Sequence, residues 1–175
     1  VRSDRRPGVD LTFSVPKSVA LAWAINSDEA IVSVLRETVR ETMAKDVEPL
    51  MHRRVRKGAF SASNEKTKTG KMHYADFLHK TSRPVGGTPD PHLHIHAYVI
   101  NWTEHNGKHY AAEMEEIIRQ RQSLQAKFEA RLARRLRNDL GYDVHRVSYA
   151  QSGRLKQGWE IKGIDRSTVE KFSRR

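Results

Sequence analysis

The segment PDPHLHIHAYVI, residues 89–100, places a histidine at every second position: His92, His94 and His96. Successive side chains of a β-strand point to opposite faces, so these three imidazoles would share one face of a strand. The opposite face would be apolar and would carry Leu93, Ile95, Ala97 and Val99. The pattern therefore predicts a strand that packs one face on a core and lines the other with imidazole. A purely structural role for three alternating histidines is the less favoured interpretation.

Histidines at alternate positions of a strand can bind one metal ion. Such positions are about 6.6 Å apart, so bonds of about 2.0–2.1 Å let His94 and His96 converge on an ion. His92 and His96 are about 13 Å apart, which is too far for all three to share that ion. The strand that ends near Ser82 would pair antiparallel with the histidine strand, and it carries His79. We therefore predict a metal site made of His79, His94 and His96, with His92 as a near neighbour.

Three protein ligands leave open positions on the ion, which is typical of catalytic rather than structural sites. An acidic side chain is expected to orient one of the imidazoles. The candidates are Asp10, Asp76 and Asp90, and their spacing alone does not choose between them. The predicted cofactor is one divalent ion: Mg, Mn, Zn, Co and Ni all stay open, although three imidazoles suit Mg least.

The charge balance indicates a polyanionic partner. The 175 residues contain 32 Lys and Arg against 21 Asp and Glu, a net charge of +11, and nucleic acid is the commonest partner of so basic a chain. No apolar run approaches the length of a spanning helix and the N-terminus does not resemble a signal peptide, so no membrane insertion is expected.

Cysteine is absent, which excludes disulfides and thiolate metal sites. Because the chain opens on Val1 and closes on SRR, we expect it to be part of a longer protein.

The remaining periodicity predicts an α+β domain. Alternation over residues 9–15 predicts a strand, Pro16 suits the start of a helix, and Ser27 suits the cap of a second helix that continues to Leu50. Residues 58–70 are predicted to be a strand that runs into a flexible basic loop. Further strands are predicted at 71–83, 92–103, 109–114, 143–149 and 158–163, with helices at 115–139 and from Asp165. We expect one domain, residues 1–175, with a largely antiparallel sheet flanked by helices.

Two segments resemble the MobF-type conjugative relaxases, the TrwC/TraI class. VDLTFSVPKSVALAWA, residues 9–24, is similar to the D-L-T-F-S-x-P-K-S signature of that family. FLHKTSRPVGGTPDPHLHIHAYVIN, residues 77–101, is similar to its metal segment, although His92 replaces a Gln-like residue and the loop around Gly86 and Gly87 is longer. WEIKGIDRSTVEKFSRR, residues 159–175, resembles a stretch late in the same domain. The three blocks follow the family order and cover nearly the whole chain.

The resemblance implies an HUH endonuclease fold, incomplete at both ends of this chain. Matched residue by residue, the ligands of the divalent ion are His79, His94 and His96, and Asp10 assists the metal histidines and the nucleophile. The residues assigned to DNA or its phosphates are Arg83, Lys17, Lys66 and Lys68. His92 and Tyr98 are assigned to the surroundings of the ligands.

The resemblance also implies a reaction and its partners. A tyrosine attacks a phosphodiester of plasmid single-stranded DNA at the origin of transfer, which leaves a 5′-phosphotyrosyl link and a free 3′-OH that can later be rejoined. Relaxosome accessory proteins and a type IV secretion coupling protein would be further partners, in the bacterial cytoplasm. The family nucleophile is expected upstream of this chain, and Tyr98 is a less favoured stand-in. Trp102 and Tyr110 are candidates for stacking on unpaired bases, with core packing as the alternative.

Two other functions fit part of the pattern. HLHIHAY, residues 92–98, also resembles the histidine-triad nucleotide hydrolases, in which the middle histidine attacks a phosphate without a metal. The upstream D-L-T-F-S-V-P-K-S block and the positive charge are features that such hydrolases do not require. The other alternative is a non-catalytic module that carries a metal and binds single-stranded DNA. Metal dependence separates the first alternative from a relaxase, and a covalent protein–DNA adduct separates the second.

Overall fold

A computed structural model describes residues 7–55, 65–84, 86–151 and 153–173. The helices are α1 (Lys17–Asn26), α2 (Glu29–Thr42), α3 (Glu115–Arg119), α4 (Arg121–Leu140) and α5 (Arg166–Lys171). The strands are β1 (Gly8–Ser14), β2 (His52–Val55), β3 (Glu65–Lys68), β4 (Tyr74–Thr81), β5 (Pro91–Ile100), β6 (Thr103–His105), β7 (Lys108–Tyr110), β8 (Ala112–Glu113), β9 (Val144–Gln151) and β10 (Arg154–Ile161). Within the described ranges, no helix is both long and apolar enough to cross a membrane.

The strands form four small sheets. One has the order β1-β5-β4, with the histidine strand β5 in the middle, and another has the order β3-β2-β8. The other two are the hairpins β6-β7 and β9-β10. The pairings of β2 with β3 and β8, of β6 with β7 and of β9 with β10 are antiparallel. The expected α+β fold with antiparallel sheets is confirmed.

The described chain forms two compact units. The first comprises Val1–Phe13, Val39–Phe77 and His96–Phe128. Its core contains the buried side chains of Val39, Met43, Met51, Val99, Ile117 and Phe128. The rings of Phe13 and Phe128 are 5.0 Å apart between centroids, so β1 and α4 share an aromatic contact in this core.

The second unit comprises Ser14–Thr38, Leu78–Ile95 and Glu129–Arg175. Its core contains the buried side chains of Val19, Ile31, Leu35, Leu93, Leu132 and Leu136. Ser18 joins α1 to β10: its main-chain N–H donates to the Glu160 carboxylate, and its hydroxyl accepts from the Ile161 N–H, each over 2.9 Å. The unit boundaries fall inside β1, α2, β4, β5 and α4, so these elements contribute residues to both units. The expectation of one domain over residues 1–175 stays a prediction.

Strand β5 has the alternation that its sequence predicts. Leu93, Ile95, Ala97 and Val99 are all buried, with at most 1% of their surface exposed. The histidines occupy the alternate positions, and of these His94 is also buried, at 7% exposure. One face of the strand thus contributes to the core, and the other presents imidazole rings.

The region around α2 differs from the prediction at both ends. Ser27 does not cap α2; it ends α1 with a left-handed φ of 52°. Asp28 fills the capping position, because its carboxylate accepts the main-chain N–H of Ala30 over 3.0 Å. At the other end, the α-helix stops at Thr42 and continues as a π-helical turn, Met43–Val47, and a 3₁₀ turn, Glu48–Leu50.

Several other boundaries were predicted wrongly, and the single strand expected over 109–114 is divided at Ala111 into β7 and β8. Residues 65–68, expected in a flexible loop, form β3 and pair with β2, while 56–64 lie outside the described residues. The single helix expected over 115–139 is interrupted at Gln120, which separates α3 from α4. The two late strands are longer than predicted and pair along their whole length, from Val144 opposite Ile161 to Gln151 opposite Arg154.

Candidate metal centre

The three histidines chosen from the sequence lie together. His79 is on β4, and His94 and His96 are on β5, with one ligand nitrogen from each within 4.8 Å of the others. With metal–nitrogen bonds of about 2.1 Å, two ligands of one ion can be at most about 4.2 Å apart, so a small side-chain movement would complete the site. In the described part of the chain, this is the one group of three or more His, Cys, Asp or Glu residues with such spacing.

Two of the imidazoles are oriented by their second nitrogen. Nδ1 of His94 lies 2.8 Å from the main-chain oxygen of His92, and Nδ1 of His96 lies 2.6 Å from Oδ2 of Asp10. Both acceptors lack a proton, so each Nδ1 is the protonated nitrogen that donates. In the neutral form of each ring the other nitrogen, Nε2, then carries no proton and is the one that can act as a metal ligand.

Asp10 is the acid that sequence spacing could not select. Of the three candidates, Asp10 contacts a histidine of the trio, whereas Asp76 pairs with Arg40 over 3.6 Å. Asp90 is buried, and its main-chain N–H donates to the Ser82 hydroxyl. Asp10 is thus the acid whose position would allow it to orient the imidazole of His96.

Thr12 is a neighbour of the site that the sequence analysis missed. Its hydroxyl lies 3.5 Å from Oδ2 of Asp10 and 3.3 Å from Nδ1 of His96. Its position in the sequence could have indicated this role, because Thr12 stands two residues after Asp10 on β1 and its side chain therefore lies on the same face of the strand as Asp10.

His92 takes no part in the trio. Its ring stacks on that of His94, with centroids 4.5 Å apart and planes inclined by 25°. Burial, together with the smaller influence of the neighbouring His94 and Lys17, lowers the pKa of His92 to about 4. His92 is therefore a neutral ring at pH 7, and it supports His94 through its main-chain oxygen and its stacked face.

The basic residues assigned to DNA occupy different local settings. Lys17 donates to the main-chain oxygen of Pro91 over 2.9 Å, and its pKa is lowered by burial, against the opposing influence of Asp90 and Glu160. Arg83 is exposed just after the end of β4. Lys66 and Lys68 lie on β3, where Lys66 pairs with Glu115. The structure thus shows Arg83 and Lys68 at the surface, while Lys17 and Lys66 already have protein partners.

The aromatic residues expected near DNA are largely engaged. The Trp102 ring contacts two imidazoles, with ring centroids 4.1 Å from His73 and 4.7 Å from His109. The Tyr110 ring carries the Arg53 guanidinium at 4.5 Å from its centroid. These ring contacts within the protein favour the packing alternative for Trp102 over base stacking.

The Tyr98 ring lies against the backbone of β1. A Cβ at Gly8 would be 2.7 Å from this ring and 2.3 Å from the Val99 oxygen, so only glycine fits at that position. Tyr98 follows His94 and His96 at the next alternate position of β5, as the sequence indicates. Its ring therefore forms part of the face that carries the histidines.

A cleft of about 470 Å³ borders Asp10 in the first unit. One wall is β1, from Asp10 to Phe13, and the other is the start of α4. The α4 residues are Arg121, Gln122, Leu124 and Gln125. The volume is in the range of small-molecule sites, and polar groups stand at its edges.

Comparison with known proteins gives consistent matches. The sequence model of the TrwC relaxase family matches residues 2–175. The multifunctional conjugation protein TraI of Escherichia coli is 32% identical over 180 residues, which is 97% of this chain and 9% of TraI.

Solved structures of the conjugative relaxase TrwC are also similar. The complex of TrwC with mutant oriT DNA superposes with a TM-score of 0.81 at 32% identity, covering 99% of this chain and 57% of that one. The metal-bound complex with oriT DNA gives a TM-score of 0.80 at 32% identity, with 99% and 56% coverage. The chain thus spans just over half of the solved TrwC chains and about a tenth of TraI.

Proposed function

The chain belongs to the TrwC relaxase family, and from this premise we propose that it forms the metal-binding part of a conjugative relaxase. Such an enzyme would nick and rejoin plasmid single-stranded DNA at the origin of transfer by transesterification. The observation that carries the proposal is the convergence of His79, His94 and His96, with Asp10 behind His96. Solved complexes of the similar TrwC contain oriT DNA, and one is described as metal-bound.

The residues present suit a divalent ion. Nε2 of His94 and of His96 would face the ion, because Nδ1 of each ring is engaged elsewhere, and His79 would supply the third nitrogen. A bound ion would act as a Lewis acid on the non-bridging oxygens of a phosphodiester. Three imidazoles suit Zn, Mn, Co or Ni better than Mg.

The protein groups would then have distinct tasks. The Asp10 carboxylate would hold the His96 ring in the tautomer that leaves Nε2 free. His92 would support His94 from its main chain and stacked ring, and exposed Arg83 would contact a DNA phosphate. None of the five tyrosines of this chain is assigned as the nucleophile. In the reaction, a tyrosine hydroxyl would lose its proton as its oxygen bonds to phosphorus and the P–O3′ bond breaks, and the leaving 3′ oxygen would take up a proton.

The proposal of protein partners is based on the family alone. We propose origin-of-transfer single-stranded DNA as the substrate, in line with the net charge of +11. Relaxosome accessory proteins and a coupling protein of type IV secretion would join it in the cell. The histidine-triad hydrolase alternative is not retained, because the family match extends over residues 2–175.

Metal titration by calorimetry tests the proposal. The wild-type chain would be compared with single alanine substitutions of His79, His94 and His96. His92→Ala is the neighbouring control, and His145→Ala is the remote control because His145 is exposed on β9. We expect one ion per chain, lost or strongly weakened in the three ligand variants and retained in both controls. The absence of binding to Zn, Mn, Co and Ni, or equal losses in the controls, would contradict the assignment.

A second measurement separates the enzyme from the non-catalytic alternative. The full-length protein would be incubated with metal and labelled single-stranded origin DNA, then denatured. A covalent protein–DNA band that requires His79 supports the relaxase. Metal binding without any adduct supports a module that only binds DNA.

A further inference from the structure

The register between β4 and β5 shows which residues lie beside the trio on the open face of the sheet. The Ile100 N–H donates to the His73 oxygen over 2.9 Å, and the Ser82 N–H donates to the Asp90 oxygen over 2.9 Å. These two bonds join opposite ends of the strands, so the strands run antiparallel. Counting from the first bond in steps of two places Ala75 opposite Tyr98, Phe77 opposite His96 and His79 opposite His94, and the 5.1 Å between the ring centroids of His79 and His94 agrees with this register. The second bond lies beyond the end of β4 and is offset from this register by one residue.

Phe77 is therefore a cross-strand neighbour of a proposed metal ligand. It shares its face of β4 with His79, which is two residues further along the strand. Two residues of a strand span about 6.6–6.8 Å. Phe77 therefore has one residue of the trio next to it along β4, which is His79, and another opposite it on β5, which is His96. The alternate residues of β4, Tyr74, Asp76 and Leu78, are half-buried on the opposite face.

Phe77 is unusually exposed for a large apolar side chain. Its exposed fraction is 55%, and that of Ile100, further along the same face, is 41%. Tyr98 lies diagonally between them, with its ring against Gly8. Phe77, Tyr98 and Ile100 form an apolar strip that starts at His96 and leads away from it. The fold leaves the strip uncovered within the described part of the chain, although burying it would be favourable.

We propose that Phe77 stacks on the unpaired base of a nucleotide whose phosphate is held at the His79, His94 and His96 trio. The inference rests on the proposed function and deepens it, because it assigns a base-binding position to the same site. Tyr98 and Ile100 would border this base on the side away from the trio. The chemical class of the ligand is a single-stranded nucleic acid with at least one unstacked base next to the bound phosphate.

Four observations favour a nucleobase as the occupant. The strip adjoins a site whose chemistry suits a phosphodiester, and in a nucleotide an apolar base is attached one sugar away from the phosphate. An exposed ring face binds any base by stacking, as aromatic side chains do in single-strand binding proteins. A strip of three side chains is also far smaller than the area that a stable protein–protein interface buries. The chain's net charge of +11 further favours a polyanion.

The test compares three substitutions at Phe77. Phe77→Leu keeps an apolar side chain without a ring, Phe77→Trp keeps a stacking face, and Phe77→Ala removes both. Ile25→Ala is the control, because Ile25 is an exposed apolar residue of α1, at 64% exposure, outside the strip. The probe is an oligothymidylate of about 12 nucleotides, within the site sizes known for single-strand binders, with one 2-aminopurine whose position is varied. Binding is followed by anisotropy and stacking by quenching of 2-aminopurine, with the chain saturated with Mn or Zn.

We expect Phe77→Leu to weaken DNA binding by about 5- to 100-fold, in keeping with the loss of one stacked base. Quenching should be lost in this variant and retained in Phe77→Trp, while metal affinity stays within about twofold of wild type in all four proteins. If Phe77→Leu binds and quenches like wild type, the inference is wrong and the metal site still stands. If wild type binds neither metal nor DNA, the proposed function itself has failed. If Phe77→Leu changes only self-association in sedimentation, the strip is a protein interface and the inference is overturned.

Discussion

Replacement of Asp10 tests how the protein prepares a histidine for metal. In the structure, Oδ2 of Asp10 accepts a hydrogen bond from Nδ1 of His96 over 2.6 Å. Asp10→Ala would remove this acceptor, so the His96 ring could rotate or move its proton to Nε2, the nitrogen that the ion needs. Asp10→Asn would keep an oxygen acceptor and lose only the negative charge.

The expected loss of metal affinity depends on how exposed the Asp10 and His96 side chains are to solvent. Loss of an outer-shell partner typically costs about 10- to 100-fold in metal affinity. The side chains of Asp10 and His96 are 44% and 32% exposed, so water screens their charges and the lower part of that range applies. We expect Asp10→Ala to weaken metal binding by about 10- to 30-fold, or about 1.4–2 kcal/mol. Asp10→Asn should lose about threefold, since its hydrogen bond survives.

Calorimetric titration with Zn or Mn at pH 7.5 measures this difference. Asp139→Asn is the matched control, because it removes one negative charge from an exposed position on α4. Thermal unfolding without metal checks that each variant is folded. Wild-type affinity in Asp10→Ala would refute the idea that this carboxylate prepares His96. Equal losses in Asp10→Asn and Asp139→Asn would instead indicate a general effect of charge.

Three further predictions concern the stability of the fold. Gly8→Ala places a Cβ 2.3 Å from the Val99 oxygen, and should lower the free energy of unfolding by at least about 1–3 kcal/mol in urea titrations. The folded-state pKa of His92, about 4, lies below its ordinary value of 6.5, so the unfolded chain binds more protons and stability falls as pH drops through that window. Relative to His92→Leu, metal-free wild type should lose about 1–2 kcal/mol between pH 7 and pH 4.5, a figure reduced for partial solvent exposure, and parallel pH curves would contradict this. Tyr142→Phe removes a 2.8 Å hydrogen bond to Asp28, and should cost about 1 kcal/mol, which an unchanged melting temperature would rule out.

The alternation of β5 explains why the trio could be inferred from the sequence. A period of two fixes which side chains share a face, and the distance between alternate positions excludes His92 from an ion bound by His96. A single hairpin then brings His79 alongside, and the structure places these nitrogens within 4.8 Å. Each step depends on local geometry that the sequence itself specifies.

The acid that contacts His96 could not be identified from spacing, because the contact joins residues that are far apart in the sequence. Asp10 and His96 are separated by 86 positions, so no local pattern identifies their hydrogen bond. The resemblance to a family, rather than spacing, pointed to Asp10. Thr12 was missed for the same reason, because its role depends on the strand that lies beside β1.

The errors at element boundaries have local causes. Ser27 and Asp28 are both good capping residues, and propensity alone does not decide between neighbours. The carboxylate of Asp28 also accepts the Tyr142 hydroxyl, and this distant contact favours Asp28. Lys66 and Lys68 are in a segment whose composition is typical of a loop, yet pairing with β2 makes it a strand.

The π-helical turn after α2 marks a place where the length of the chain could change. Within Met43–Val47 the Glu48 N–H bonds to the Met43 oxygen, five residues back, so this turn contains one residue more than an α-helical turn. Met43 and Val47 are both fully buried and anchor the two ends of the turn. Deleting one residue between them would allow the α-helix to continue, whereas a deletion inside α2 would rotate every later side chain by about 100°. Relatives of this protein should therefore gain or lose single residues here more readily than elsewhere in the helix, which makes the turn a suitable position for an engineered insertion.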